Sequence, residues 1–502
     1  MKQFRFILSI LGIIGVAFHF STVYGRDRFE ISAAPQIQQV SMVMPQTTAQ
    51  APRFQSPESS VSQQSLPQQY AAIPDHPVSG YSSGESLDDL TREIEDLKRE
   101  LAKKSDKPDP NKGFTAPTIG GRVFMDSVNI RNQDADGLAN YHGKNSWGFR
   151  EARLIAVGEG YGFLDYKFEL GFENENGANF KDMFFGIKSI PLLGYVRVGN
   201  YDVEDAGSET CNGTMNYTFM EAPAPAGDHF TSRRPGISSR HHFAGDRGRL
   251  FLGAYGVRSI AETHQWQDSN QGILLNARLT YAPVFQQEGK RMFLYGGYYS
   301  FTDPSGGETP RYIRVRPGGW NLEITSPFDN VNPDNVHKAG FETVYQNGSF
   351  CLQTDFFLRY FSEATSIHGT GDATLYGGFV MGRYFLTRGD YRKYALERAH
   401  WSFVNVHRPF LLFQRGGRNF MRGPGAWEVA TYYGFLNNEE FKGITRYGTD
   451  HEIGIALNWY WNPQLRWALN SVCRRSHLTA YDGTTTNKPN MDIVGLSCRF
   501  HW

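Results

Sequence analysis

The chain of 502 residues has no apolar run beyond residue 20 long enough to cross a bilayer as a helix. Such a span needs about 20 consecutive apolar residues. An exported membrane protein without one has to cross with strands that close into a barrel. Net charge is missing too, because 51 Lys and Arg balance 51 Asp and Glu. No global field therefore selects a nucleic acid or another polyanion as partner. Cysteine is scarce, with Cys211, Cys351, Cys473 and Cys498 scattered along the chain. His241 and His242 are neighbours that point to opposite faces of a strand, so no metal is assigned to them. No Gly-x-Ser-x-Gly elbow and no Ser, His and acid constellation stand out. The chain is not read as an enzyme, and no cofactor is assigned.

What is present begins with an export signal. Lys2 and Arg5 precede a mostly apolar stretch from Phe6 to Phe20, and Val23-Tyr24-Gly25 suits cleavage, so residues 1–25 read as a signal peptide. No Cys follows that stretch to carry a lipid anchor. Residues 26–84 are rich in Gln, Ser, Pro and Ala without a period, and are expected to be a disordered linker. Leu87, Leu90, Ile94, Leu97 and Leu101 then form an a/d seam, flanked by the pairs Asp88 with Arg92, Glu95 with Arg99 and Glu100 with Lys104. Pro108 and Pro110 end it. Residues 85–106 are expected to form a short coiled-coil helix, since a helix this short is marginal alone in water.

From Thr115 onward the period is two. Leu164, Tyr166, Phe168, Leu170 and Phe172 alternate with Asp165, Lys167, Glu169 and Glu173. Ile273, Leu275, Ala277, Leu279 and Tyr281 do the same, as do Phe350, Leu352, Phe356, Leu358 and Tyr360. Ile453, Ile455, Leu457, Trp459 and Trp461 form one apolar face, and Val494, Leu496, Cys498, Phe500 and Trp502 another. Ending mid-strand on an aromatic residue suits a barrel whose last strand closes on its first, with Phe500 and Trp502 at the seam. Sixteen strands are expected, beginning near Ile119, Trp147, Phe163, Lys181, Tyr195, Ile237, Arg249, Gly272, Arg291, Val336, Ser349, Ala373, Ala426, His451, Gln464 and Met491. Gly160-Tyr161-Gly162, Asn347-Gly348 and Asn462-Pro463 are tight turns. Segments 131–146, 206–236, 303–335, 387–424 and 475–489 are long and are expected together at the other end. The fold class is all-β: a 16-stranded antiparallel transmembrane barrel over 114–502. Such a barrel leaves an aqueous lumen. Cys473 and Cys498 share the outward face of neighbouring strands, which leaves a bridge between them open.

Motifs spread along the barrel region resemble the phosphate-selective porin O and P family. They are Phe149-Arg150-Glu151-Ala152-Arg153, Asp165-Tyr166-Lys167-Phe168-Glu169, Lys181-Asp182-Met183-Phe184-Phe185-Gly186, Val196-Arg197-Val198-Gly199-Asn200-Tyr201 and Phe219-Met220-Glu221. Tyr384-Phe385-Leu386-Thr387, Gly425-Ala426-Trp427-Glu428 and Leu457-Asn458-Trp459-Tyr460-Trp461-Asn462-Pro463 continue the series. The resemblance implies a homotrimeric porin in outer-membrane lipid, narrowed by an inward-folded loop and passing small anions such as phosphate or polyphosphate.

An anion that sheds water in a pore needs fixed charge-assisted donors, and the planar fork of Arg suits phosphate oxygens. The candidates are Arg233 and Arg234 before Pro235, Arg240 in the strand that follows, and Arg314 and Arg316 before Pro317. Against strong anion preference stand the neutral total and an acidic run, Asp202, Glu204, Asp205 and Glu209, where the inward loop is expected to start. A general, weakly selective porin is therefore the alternative. A second alternative is an envelope tether acting through an N-terminal arm in the periplasm.

Overall fold

A computed structural model describes residues 113–132, 145–173, 177–223, 230–257, 272–304, 331–415, 418–484, 486–487 and 490–502. The expected signal peptide, linker and coiled-coil helix lie outside these residues, as do Arg314 and Arg316.

Sixteen strands form a closed antiparallel barrel. In chain order the first eight are β1 (Thr118–Asn132), β2 (Asn145–Gly160), β3 (Leu164–Gly171), β4 (Asn179–Ile190), β5 (Gly194–Tyr201), β6 (Arg234–Phe243), β7 (Gly248–Gly256) and β8 (Ile273–Gln286). They continue with β9 (Arg291–Asp303), β10 (Asn335–Asn347), β11 (Phe350–Thr365) and β12 (Thr370–Phe385). Four strands outside the barrel follow: β13 (Tyr391–Ala395), β14 (His400–Asn405), β15 (Leu411–Arg415) and β16 (Arg418–Arg422). Then come β17 (Ala426–Asn437), β18 (Tyr447–Asn462), β19 (Leu465–Thr479), the two-residue β20 (Thr486–Asn487) and β21 (Met491–His501). β12 pairs with β17, β19 with β21, and β21 with β1. At the seam Val123 faces Phe500, and Gly121 and Trp502 exchange backbone bonds of 3.1 and 3.2 Å.

The period of two sorts the side chains. Ile455 is 60% exposed, Leu496 42% and Trp502 55%, all on the outer surface, while Ile493 is 1% exposed and faces the lumen. An apolar outside and a polar inside fit a barrel surrounded by lipid.

One expectation is corrected, and one question left open is closed. Segment 387–424 does not join the long loops. β12 runs toward the end that carries the tight turns 161–163, 348–349 and 463–464, so its continuation starts at that turn end. Length suggested its side, but strand parity decides it. The segment also holds the unexpected hairpins β13–β14 and β15–β16, which pair only within themselves. The question left open is the bridge between Cys473 and Cys498. Cys473 faces Asp492 while Cys498 faces Trp467, six residues further along the ladder. That offset is roughly 20 Å, beyond disulfide reach. All four cysteines are free.

Candidate functional site: two segments that meet in the lumen

The β5–β6 connection folds into the barrel and crosses it. On one side, wall carboxylates catch its backbone. Gly207 N donates to Asp355 at 3.1 Å, and Ser208 donates to Glu342 through its N (2.7 Å) and Oγ (2.5 Å). On the other side, Asn458 donates to Thr218 O (2.9 Å), Arg466 to Tyr217 O (2.6 Å) and Arg499 to Met220 O (2.6 Å), while Met220 N donates to Asn470. Phe219 packs edge-on to Tyr432 beside Phe379 and Met381, and Met220 packs among Val128, Ile130 and Val472.

The acidic run in this loop meets three wall cations and, in Arg233, a cation at the loop's own end. Asp202 lies 3.6 Å from Arg233, Glu204 3.3 Å from Arg278, and Glu209 3.7 Å from Arg383, and Asp205 binds Lys338. Each carboxylate of the run that weighed against anion passage thus has a cation partner in place.

From the turn end the β13–β14 hairpin enters the same lumen. Trp401 is fully buried and donates to Gln353 at 2.9 Å, and Tyr394 packs on it edge-on beside Met292, Leu294 and Val344. The two inward segments touch. The Tyr394 and Ser208 hydroxyls are 2.7 Å apart, Asn216 donates to Trp401 O at 3.1 Å, and Arg392 donates to Asn216 O. Burial and then Glu342 push the Tyr394 phenol up, so it stays a neutral hydroxyl. Wall residues join in: Arg278 donates to Ala399 O at 2.8 Å and Arg240 to Glu397 O at 3.1 Å.

The candidate arginines fall as follows. Arg233 sits 2.5 Å from Asp182 and 3.9 Å from Glu169. It belongs to a cluster of five cations (Arg122, Arg153, Lys167, Lys181, Arg233) and five carboxylates (Glu151, Glu169, Glu173, Asp182, Asp202) on the β1–β5 wall. The cluster is charge-balanced. Arg234 is buried and donates to Arg233 O at 2.6 Å. Arg240 lies over the Tyr195 and Phe251 rings. The structure does not bring these three together as one donor site.

It does bring together two arginines outside the Arg-rich runs. Arg466 on β19 and Arg499 on β21 face each other directly in the ladder. They are 5% and 3% exposed, and among the described residues neither has a carboxylate within ion-pair distance. Like charges directly opposite each other destabilise a sheet. Nε and Nη2 of Arg466 are buried without a hydrogen-bond partner. Beside them lies a cavity of about 20 Å³ whose lining includes Asn216, Arg392, Phe403, Tyr460, Arg466 and Arg499. Arg392 is the third guanidinium there, and it is matched by Glu428 at 3.4 Å. Arg466 alternates with Leu465 and Trp467, and Arg499 with Cys498 and Phe500, so parity puts both on the polar face. What it leaves out is the strand register, which sets them opposite each other.

Among the described residues no cluster of metal-ligating side chains occurs. The fold resembles solved outer-membrane channels at low identity. The channel DcaP of Acinetobacter baumannii shares 12% identity at a TM-score of 0.48, over 78% of this chain and 98% of that one. OmpT of Vibrio cholerae shares 10% at 0.46, over 77% and 98%. An anion-selective porin from Comamonas acidovorans shares 13% at 0.43, over 78% and 100%. No curated protein matches the chain. A sequence model of one family matches residues 118–500, which takes in the barrel strands but for the final residue of β21. That match makes this chain a member of the phosphate-selective porin O and P family, a porin of the outer membrane.

Proposed function

We propose that this porin passes small anions by passive diffusion and that Arg466 and Arg499 are its selecting pair. One observation carries the reading: two buried guanidinium groups stand opposite each other and, among the described residues, neither has a carboxylate within 4 Å. Burying unmatched charge is costly, and a passing phosphate, with oxygens that suit the Arg fork, would offset that cost. Reversal potential in a salt gradient across a planar bilayer tests it. Wild type is expected to prefer the anion. Replacing both residues (Arg466→Gln with Arg499→Gln) is expected to shift the potential toward cation preference. An unchanged potential in folded protein removes the pair from selection.

A second reading, a weakly selective porin, is favoured by the balanced cluster on the β1–β5 wall. It predicts a reversal potential near zero in wild type. Arg233, Arg234 and Arg240 then act as ordinary lumen residues, and Arg314 and Arg316, outside the described residues, stay candidates for anion binding. We further propose a homotrimer with the turn end toward the periplasm. The N-terminal arm is proposed to be periplasmic, with the segment expected as a coiled-coil helix at 85–106 serving oligomerisation or envelope attachment.

A further inference from the structure

We propose that the β13–β14 hairpin is a lid on the Arg466–Arg499 site, and that it lifts to admit a tetrahedral oxyanion. The proposal rests on the anion reading of that pair. The cavity beside the pair, about 20 Å³, has room for one water. A phosphate does not fit while the hairpin is docked, because Arg392, Ser402, Phe403 and Val404 of the hairpin make up one wall.

The hairpin is built as a separate unit. Its strands pair with each other and with no barrel strand, so lifting it breaks no ladder of the wall. Its neck is tied by its own residues: His407 N donates to Asp390 at 2.6 Å, and Asn405 to Gly389 O at 3.4 Å. Gly389 on entry and Gly423 and Gly425 on exit have φ of +92, +74 and +71, backbone suited to glycine, which is also the residue best able to re-form at a hinge. The rest of the docking is made by buried side chains and by wall and loop side chains that bond the hairpin's carbonyls, Arg278 at Ala399, Gln346 at Arg392 and Asn216 at Trp401. Tyr394 touches Ser208, Trp401 donates to Gln353, Arg392 donates to Tyr460 at 2.7 Å, and Phe403 stacks on His501 at 4.7 Å.

The same groups link lid to ligand. Arg466 holds Tyr217 O, and the adjacent Asn216 bonds the hairpin through both its carbonyl and its amide. With the lid docked, Nε and Nη2 of Arg466 have no partner. An oxyanion supplies one only in the lifted state, so the anion binds that state better and shifts the population toward it.

Two experiments test the lid. The first places a cysteine at Ser402 (Ser402→Cys) and follows its modification by a cationic thiol reagent, with the parent protein as background. Inorganic phosphate is expected to raise the rate severalfold, and Arg466→Gln to abolish that increase. A rate that phosphate does not change, in a protein whose reversal potential still favours anions, overturns the lid and leaves the anion reading standing. The second excises residues 391–405, whose ends are adjacent in the hairpin. Single-channel conductance is expected to rise severalfold, and an unchanged conductance overturns the proposal whatever the selectivity. A wild type without anion preference sinks the anion reading, and the excision still decides whether the hairpin obstructs the pore.

Discussion

Arg278 shows how the lumen handles charge at the scale of one residue. It is fully buried, and it meets Glu342 at 2.7 Å, Glu204 at 3.3 Å and Ala399 O at 2.8 Å. Glu342 in turn receives both donors of Ser208, so one carboxylate seats the wall arginine and the inward loop. Removing one partner of a buried pair costs about 3–5 kcal/mol. Glu342→Gln is therefore expected to lower thermal stability by that order and to expose 203–212 to protease. Thermal stability and protease resistance both equal to wild type would mean that Glu342 is not the clasp. Phe219→Ala attacks the opposite anchorage, where the ring meets Tyr432 at 4.6 Å. Its cost is again about 3–5 kcal/mol, read as added open-channel noise and a lower melting temperature. Which face a residue takes was legible from parity alone, as Val494, Leu496, Phe500 and Trp502 show. Which charge meets which was not. Arg233 stands out in the sequence as one of an Arg pair, yet Asp182 matches it from a strand about 50 residues away. Arg466 and Arg499 look ordinary until register sets them opposite each other.

At the scale of elements, strands were legible because each repeats one rule over 8–16 residues, and errors in one residue do not change the period. The inward hairpin was not legible. Tyr391, Tyr394 and Trp401 are apolar or aromatic at irregular spacing, and their burial depends on a lumen that other elements create. This element also carries a pH dependence. Burial, followed by the nearby charges of Arg398, Arg240 and Arg278, pushes the His400 imidazole below its usual range, against the opposing bond to Trp401 O. In a lifted hairpin it returns to about 6.5. Between the two values the docked state binds fewer protons than the lifted one, so docking weakens as pH falls through that window. Asp390, whose carboxyl burial pushes up, opposes this only nearer the carboxylate range. Lowering pH from 7 to 5 is expected to raise the open fraction in single-channel records, and His400→Gln to flatten the dependence. A wild-type open fraction that is constant over that range removes His400 from the docking balance.

Among the described residues the apolar clusters lie inside a barrel and not between packed layers. Its lumen is filled by wall side chains and by the two inward segments, so a change in the wall reaches the constriction through packing. The path from Gly340 is explicit. Gly340 on β10 faces Tyr298 on β9, and a Cβ added there would overlap the Tyr298 ring. The ring lies over the glycine, and its hydroxyl donates to Asp355 at 2.8 Å. The other Asp355 oxygen accepts Gly207 N at 3.1 Å, at the start of the crossing loop. Gly340→Val forces the ring away from Asp355, and the loop loses one clasp while the ladder between β9 and β10 stays paired. The expected result is a folded, heat-resistant barrel with larger and noisier conductance. Tyr298→Phe keeps the ring and deletes only the hydroxyl, so it separates the two parts of the path. The same conductance change in both variants places the control in the hydroxyl. A change in Gly340→Val alone places it in the ring's volume. Gly382→Ala is the control, because its added Cβ meets nothing within 4 Å, and its conductance is expected to match wild type. If Gly340→Val also matches wild type, wall packing does not set the constriction, and the loop's clasps at Asn458, Arg466 and Arg499 hold it without help from β9.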